Sequence, residues 1–211
     1  METAVPAKKE VTRMQQRQYN MGEVVTFAKT TGRYGGLSNM SSEYPMFVNE
    51  VCIPSVEALY QASKFPLHPQ IQREIVGESN AMRAKAVSRK YQSIIRPDWN
   101  DIRFEVMEWC LKVKLLQNWE SFGGVLRSTE DMPIVEYSTK DNIWGAMPDG
   151  AGHLNGVNAL GRLLMKVRDE FVVGGPKMEC VIPPSITGFL LFGNKVSKVY
   201  APEYYLEEYT V

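Results

Sequence analysis

A carboxylate and an amine that could act on the same small molecule stand in one short segment, residues 54–65. Ser55 can cap a helix and Pro66 offers no amide hydrogen, so a helix is predicted to lie between them. At 3.6 residues per turn, Glu57 and Lys64 fall on one stripe of that helix. Their separation of about 10 Å along the axis is longer than that of a surface ion pair. Glu57 and Lys64 could therefore share a substrate.

Both side chains also have an ordinary structural interpretation. Glu57 would stabilise the positive N-terminal end of the helix dipole, and Lys64 would be a solvated charge. Gln61 lies between them on the same stripe and could line a pocket. The segment alone leaves the catalytic and the structural interpretation open.

The composition excludes several classes of protein. The 211 residues predict a substantial core, and 24 basic residues balanced by 24 acidic ones lack the positive field of a non-specific nucleic-acid binder. The three widely separated cysteines predict free thiols in a reducing compartment, so we expect a cytoplasmic location. The two histidines have no second ligand at metal-binding spacing, so neither metal nor cofactor is expected. No apolar stretch approaches the roughly 20 residues of a membrane helix, so no membrane partner is expected.

Periodicity and turn residues predict an α+β fold, a helix-dominated single domain with a few short strands. Residues 1–21 are polar and patternless and are predicted to be a flexible N-terminal arm. Residues 172–211 are predicted to be a C-terminal extension of unknown role. Between them, strands are predicted near 23–29, 45–53 and 133–138, and helices near 69–76, 79–91, 102–117, 120–127 and 159–168.

Two further features could hold phosphate. The helix near 79–91 is basic, and its charges are either a phosphate-binding face or only solvated: Arg83, Lys85, Arg89 and Lys90. The last helix is predicted to be capped by Asn158, and its free amides would face the loop before it. Trp99 precedes the periodic run of the longest helix, so its ring is free for another role.

Six short motifs occur in the order and spacing of the NADAR family, which the sequence resembles from about residue 22 to residue 171. They are Gly36–Asn39, Pro54–Phe65, Arg96–Trp99, Ile134–Glu136, Asp141–Gly145 and Asn158–Met165. Many members have histidine after the helix glutamate; this chain has Ala58, so no role of that histidine is carried over. The segment Glu57–Ala62, together with the segment Trp109–Lys114, is most similar to the NADAR proteins encoded beside DarT-type ADP-ribosyltransferase toxins.

The resemblance implies that residues 22–171 are a catalytic domain that hydrolyses N-glycosidic bonds. The implied reaction removes ADP-ribose from the exocyclic amine of guanine in DNA, expected to be single-stranded, and makes the protein an antitoxin. The implied partners are this modified DNA, the product ADP-ribose and a cognate DarT-type toxin. Two alternatives stay open: an N-glycosidase of phosphoribosylated riboflavin-pathway intermediates, and a non-catalytic protein that binds ADP-ribose or the toxin.

The implied substrates of both enzymes carry a ribose on an exocyclic amine, which can open to an imine that a neutral lysine attacks. Lys64 is the implied nucleophile, forming a Schiff base at the ribose C1′, and a closed pocket would favour its neutral form. Glu57 would orient the ribose hydroxyls or move protons to the leaving amine and the attacking water, and Asp141 could share that work. Attack by a carboxylate-activated water, with Lys64 only a hydrogen-bond donor, is the other route.

The remaining matched positions imply substrate binding. Aromatic faces that could stack on a base, or instead pack in the core, are those of Trp99 and Trp144. Short side chains that could bind ribose or phosphate, or only form a turn, are those of Ser38 and Asn39. The implied anion site at the start of the last helix is shaped by Gly145, Asn158 and Gly161. A diphosphate would be neutralised by Arg33 or Arg162.

Overall fold

Six α-helices carry most of the regular structure in the part of the chain that the computed structural model describes, residues 14–173, 175 and 178–202. Their bounds are α1 Val56–Ala62, α2 Pro69–Val76, α3 Ala81–Lys90, α4 Trp99–Gln117, α5 Trp119–Arg127 and α6 Ala159–Val167. None of these helices is both long enough and apolar enough to span a membrane. The predicted α+β, helix-dominated fold is confirmed.

Short strands lie around the helices. They are β1 Arg17–Asn20, β2 Val25–Phe27, β3 Met46–Val48, β4 Val51–Ile53, β5 Ile134–Glu136, β6 Met147–Pro148, β7 His153–Gly156, β8 Cys180–Val181, β9 Leu190–Leu191, β10 Asn194–Lys195 and β11 Val199–Tyr200. Strand β7 pairs with β1 and β6 in one antiparallel sheet, and β3 with β4, β9 with β10 and β8 with β11 form antiparallel pairs. Strands β2 and β5 pair in parallel, with Phe27 opposite Glu136. This distant pairing decides where Glu136 lies.

Helix α4 lies in the centre of the core, packed against α1, α5 and α6. The stripe predicted from its periodicity is buried, including Trp109 and Cys110, which are packing residues. Trp99 was predicted to precede this helix but is its first residue. Its ring is buried against α1, where it packs on Tyr60 with ring centroids 4.9 Å apart.

Helix α1 is shorter than predicted. Ser55 caps it as predicted, since its hydroxyl accepts from the amide of Ala58 at 3.2 Å. The helix ends at Ala62, so Lys64 lies in the turn that follows, where its amide donates to the carbonyl of Gln61 at 3.3 Å. The Lys64 side chain therefore projects from a turn at the end of α1, not from the stripe that carries Glu57.

Both predicted flanks contribute to the packed structure. Residues 1–13 of the predicted arm lie outside the described ranges, and Arg17–Asn20 form β1 at the edge of the antiparallel sheet. In the predicted extension, Gln72 of α2 donates to the carbonyl of Leu190 at 3.0 Å and accepts from the amide of Phe192 at 2.6 Å. Apolar side chains of the extension join the main core, among them Leu191, Phe192, Val196 and Val199.

Candidate functional site

A cavity of about 470 Å³ lies among α1, α3, α4 and the loops that follow β5. The predicted site residues that line it are Asn39, Glu57, Gln61, Lys64, Trp99, Asp141 and Trp144. Two cations of the basic helix, Lys85 and Arg89, also line it, together with Arg103 and Glu136, to which the sequence analysis gave no catalytic or binding role. A second cavity, about 380 Å³, lies against β3, and its lining of apolar and amide side chains and the Cys52 thiol holds no acid and no base. Of these two cavities, the first is the one whose lining includes acids and bases.

Glu57 is held in the cavity wall by three polar side chains. Only 2% of the residue is exposed. Its carboxylate accepts from the Asn39 amide at 2.6 Å through Oε2 and from the Gln61 amide at 2.8 Å through Oε1. The ammonium of Lys85 lies 3.7 Å from Oε1. Such donors stabilise the charged carboxylate and keep it in one orientation.

Lys64 lies just beyond the opposite end of α1, with its ammonium near the rings of Tyr60 and Trp99. Burial lowers the pKa of its ammonium to about 8, the negative charge of Glu57 opposes this shift, and the positive charges of Lys85 and Arg89 add to it. The ammonium lies 5.5 Å from the ring centroid of Trp99. At pH 7 roughly one-tenth of the amine is neutral, compared with less than about one-thousandth at the ordinary lysine pKa. A neutral amine at this pH is what a nucleophilic lysine requires.

Glu136 is a second acid in the cavity, and the sequence analysis quoted it only as part of a motif. Burial, together with the negative charges of Asp141 and Glu57, raises its pKa to about 7, and the positive charge of Lys85 opposes this shift. The group can therefore hold or release a proton at neutral pH. The signal in the sequence was an acid closing an otherwise apolar strand. Its role was missed because only the pairing of β5 with β2 buries that acid beside the cavity.

Asp141 lines the cavity and also holds a loop. Its Oδ1 accepts from the amides of Ile143 at 2.8 Å and Trp144 at 2.9 Å. The Trp144 ring packs on Tyr60 and Phe104, with centroids 5.5 and 5.1 Å apart. Asp141 thus orients the loop that carries Trp144, and the two predicted tryptophans pack together with Tyr60 as one aromatic wall.

Asn158 and two glycines with predicted anion-binding roles are not among the cavity-lining residues. Asn158 has φ of 52° and its side chain caps no amide of α6. It accepts from the amide of Glu136 at 3.0 Å and donates to the carbonyl of Ile134 at 2.8 Å. A Cβ on Gly145 would lie 2.5 Å from the carbonyl of Glu136, and one on Gly161 would collide with that of Ile134. These residues close the junction between β5 and α6.

The other predicted binding residues also point to structural contacts. The Ser38 hydroxyl accepts from the amide of Met40 at 3.2 Å, and Arg33 lies exposed over the ring of Tyr34. Arg162 donates to the carbonyl of Gln15 at 3.2 Å. None of the three predicted residues lines the cavity. Apart from Lys64, the cations that do line the cavity come from two helices.

Those cations are Lys85 and Arg89 on α3 and Arg103 on α4. The Nε of Arg103 is buried and has no hydrogen-bond partner. A buried donor without a partner is costly, and an anionic ligand would relieve that cost. One face of the basic helix therefore does border the cavity. In the described ranges, no group of three or more histidine, cysteine or acidic residues is arranged to hold a metal ion.

Glu136→Gln is expected to make the protein more resistant to urea at pH 8 than the wild type, with a much smaller difference at pH 5. The folded pKa of about 7 lies above the unfolded value, so the wild type loses stability as pH rises through about 7. The expected gain at pH 8 is about 1–3 kcal/mol in the free energy of unfolding. Glu120→Gln, at a carboxylate whose side chain is 87% exposed, is the control. Equal gains at both pH values would contradict the assignment.

Comparison with known proteins identifies the family to which the chain is similar. A family model described as the NADAR domain matches residues 26–172. The chain is 32% identical over 162 residues to N-glycosidase YbiA of Escherichia coli, covering 76% of this chain and 97% of YbiA. It is 37% identical over 158 residues to Riboflavin biosynthesis protein VVA0006 of Vibrio vulnificus, covering 74% of this chain but only 41% of that longer protein. The NMR structure of E. coli YbiA superposes with a TM-score of 0.59 at 29% identity, covering 69% and 83% of the two chains.

Proposed function

The chain belongs to the NADAR family and is a hydrolase, and we propose that it cleaves N-glycosidic bonds between a ribose and an exocyclic amine through a Schiff base on Lys64. One observation carries the proposal: a lysine with a pKa of about 8 shares one cavity with a buried carboxylate and with an acid of pKa about 7. Nucleophile, charged orienting group and proton donor are then present together.

The first half of the reaction opens the sugar and replaces the leaving amine. The ribose ring opens as O4′ gains a proton from Glu136 and the exocyclic nitrogen gives one back to that carboxylate, which leaves an imine at C1′. The neutral Lys64 amine adds to C1′, and one of its protons passes to the exocyclic nitrogen. The bond from C1′ to that nitrogen then breaks as the second Lys64 proton passes to it, so the base leaves as a free amine and a Lys64 imine remains at C1′.

The second half consumes one water. Water adds to C1′, giving its proton to a carboxylate of the cavity, and Lys64 leaves as the amine. The resulting aldehyde closes to the free sugar. Glu57 does not need to change charge in either half, since its role is to orient the ribose hydroxyls and to stabilise positive charge on the lysine nitrogen. The competing route is direct water attack on C1′ assisted by Glu136 or Asp141.

We propose ADP-ribosylated guanine in DNA as the substrate, with the protein acting as an antitoxin to a DNA ADP-ribosyltransferase. The three cations Lys85, Arg89 and Arg103 border the cavity from two helices, which suits a diphosphate better than a single phosphate. The rings of Tyr60, Trp99 and Trp144 are inclined to one another by 57° and 79°, so a base would stack on the face of a single ring. Arg89 is exposed on α3 and would meet a DNA strand at the mouth.

The second candidate is a phosphoribosylated intermediate of riboflavin synthesis, in which a ribose is also joined to an exocyclic amine. It is favoured by the similarity to a relative named a riboflavin biosynthesis protein. The same Lys64 chemistry would apply to it. The two candidates differ in the second phosphate and the adenosine, which only ADP-ribose carries.

The test is to incubate the protein with a single-stranded oligonucleotide carrying ADP-ribosylated guanine and, separately, with the phosphoribosylated riboflavin intermediate. We expect the unmodified oligonucleotide and free ADP-ribose from the first, with the higher kcat/KM. A higher kcat/KM on the second substrate would transfer the assignment to riboflavin chemistry. Binding of ADP-ribose without turnover of either substrate would leave only a binding function.

Arg103→Met is expected to raise KM for the ADP-ribosylated oligonucleotide by about tenfold or more while kcat falls less than about threefold, because the lost contact is to an anion in both ground and transition states. The Arg103 guanidinium lies over the ring of Phe104, 4.8 Å from its centroid, and methionine keeps an unbranched apolar side chain at this position. Lys90→Met is the control on the neighbouring basic helix, since Lys90 pairs with Glu74 outside the cavity. A kcat effect larger than the KM effect would place Arg103 in the chemical step instead.

A further inference from the structure

Lys114, in the last turn of α4, is one of the largest fully buried side chains, with 1% of the residue exposed. Its ammonium donates to the carbonyl of Gly36 at 2.6 Å and to that of Ser38 at 3.4 Å. It also lies over two rings, 4.0 Å from the centroid of Phe122 and 4.5 Å from that of Tyr44. Burying a lysine costs several kcal/mol, a cost that methionine in the same place would avoid.

The loop held by this ammonium leads directly into the cavity. Residues 35–37 form one 3-10 turn, and the next residue but one is Asn39. A Cβ on Gly36 would lie 2.5 Å from the Tyr44 hydroxyl, so the loop is packed against the core with no spare room. The position of Asn39 therefore depends on the two carbonyls that Lys114 binds.

Asn39 in turn holds Glu57 from two sides. The Asn39 side chain donates to Glu57 Oε2 at 2.6 Å, and its carbonyl accepts from the amide of Glu57 at 2.9 Å. Lys114 thus binds the backbone of residues 36 and 38, and Asn39, the next residue of the same loop, binds the carboxylate in the cavity. Lys114 is not among the residues that line that cavity.

We propose that Lys114 is a positioning residue for the reaction, holding the 36–39 loop so that Asn39 keeps the Glu57 carboxylate in its working orientation. The inference rests on the proposed glycosidase function, because it concerns how that site is kept in order. Burial lowers the pKa of the Lys114 ammonium to about 7, opposed by the charge of Glu43. The two carbonyls and two rings are the partners that favour the ammonium against this loss.

The test is a double-mutant cycle on kcat with Lys114→Met and Asn39→Ala, using the full chain. We expect Lys114→Met to lower kcat about 30-fold with KM within about threefold, and the double variant to be no more than about threefold slower than Asn39→Ala alone. Arg168→Met is the matched control. Arg168 is another buried cation that donates to a backbone carbonyl, that of Met132 at 2.9 Å, but it lies outside the cavity lining. That variant is expected to lose stability while kcat stays within twofold.

Independent effects that multiply in the double variant would overturn the proposal, and so would a Lys114→Met variant with normal kcat. Lys114→Gln keeps one donor and replaces Lys114→Met in the cycle if the methionine variant does not fold. If neither variant folds, Lys114 is assigned to stability alone and the proposal is overturned. A readout without substrate separates this inference from the proposed function. The negative charge of Glu57 raises the pKa of Lys64, so a displaced Glu57 should lower that pKa, measured by NMR titration of ¹³C-dimethylated lysines. If the wild type cleaves no substrate, the proposed function fails and this titration still tests Lys114.

Discussion

Lys64→Ala is expected to lower kcat by at least about 1,000-fold while the affinity for ADP-ribose stays within about tenfold. The amine acts on C1′ in the transition state and contributes little to binding of the ground state, so the loss appears in kcat rather than KM. The measurement is single-turnover release of ADP-ribose from the modified oligonucleotide, with product affinity from calorimetry. Lys90→Ala is the matched control, because that lysine is 63% exposed and pairs with Glu74 outside the cavity.

Lys64→Arg separates a nucleophile from a positive charge. Arginine keeps the charge and binds a diphosphate well, but its guanidinium stays protonated and cannot add to C1′. We expect this variant to be as inactive as the alanine variant. Borohydride added during turnover should attach the sugar to the peptide containing Lys64 in the wild type and in neither variant. Near-normal activity of Lys64→Arg, or turnover without a trapped adduct, would assign the hydrolysis to water activated by a cavity carboxylate.

Glu57→Gln is expected to lower kcat by about 100- to 10,000-fold. The two amides that donate to this carboxylate, from Asn39 and Gln61, are both donors, so the amide that replaces it must turn an NH₂ group toward one of them. The charge that stabilises a cationic Lys64 nitrogen is lost at the same time. Glu74→Gln, at an exposed acid on α2, is the control.

The pH dependence of the residual activity of Glu57→Gln separates an electrostatic role of Glu57 from a packing role. In the wild type, the rate should rise as Lys64 loses its proton near pH 8 and fall as Glu136 loses its proton near pH 7, so the optimum lies between these values. The charge of Glu57 raises the pKa of both groups. Both limbs of the profile should therefore move to lower pH in Glu57→Gln. An unchanged profile with reduced kcat would mean that Glu57 acts through packing alone.

Local signals in the sequence were sufficient for the helices that flank the cavity. Ser55 and Asn80 are capping residue types, and each accepts from amides of the first turn of its helix. Helix α2 occupies residues 69–76 as predicted, and the strands near 45–53 form a hairpin with Asn49 in its turn. Such features depend on neighbours a few residues away, which a sequence displays directly.

The matched motifs identified the family but did not distinguish residues that line the cavity from those that pack behind it. Asn158 and Gly161 belong to one motif, and both were expected to shape an anion site. Instead they close the contact between β5 and α6. A residue type restricted by close packing and one restricted by a ligand leave the same mark on a sequence. Only the folded structure distinguishes these two cases.

The sequence by itself determined the fold class, the family and the presence of Glu57 and Lys64 in one short segment. Tertiary structure alone decided the pKa values of Lys64 and Glu136, the cation set of Lys85, Arg89 and Arg103, and the burial of Lys114. The physical reason is that desolvation and charge depend on which distant elements pack around a group. Glu136 becomes a proton donor at neutral pH because β5 pairs with β2, and those strands are separated by most of the helices that form the site.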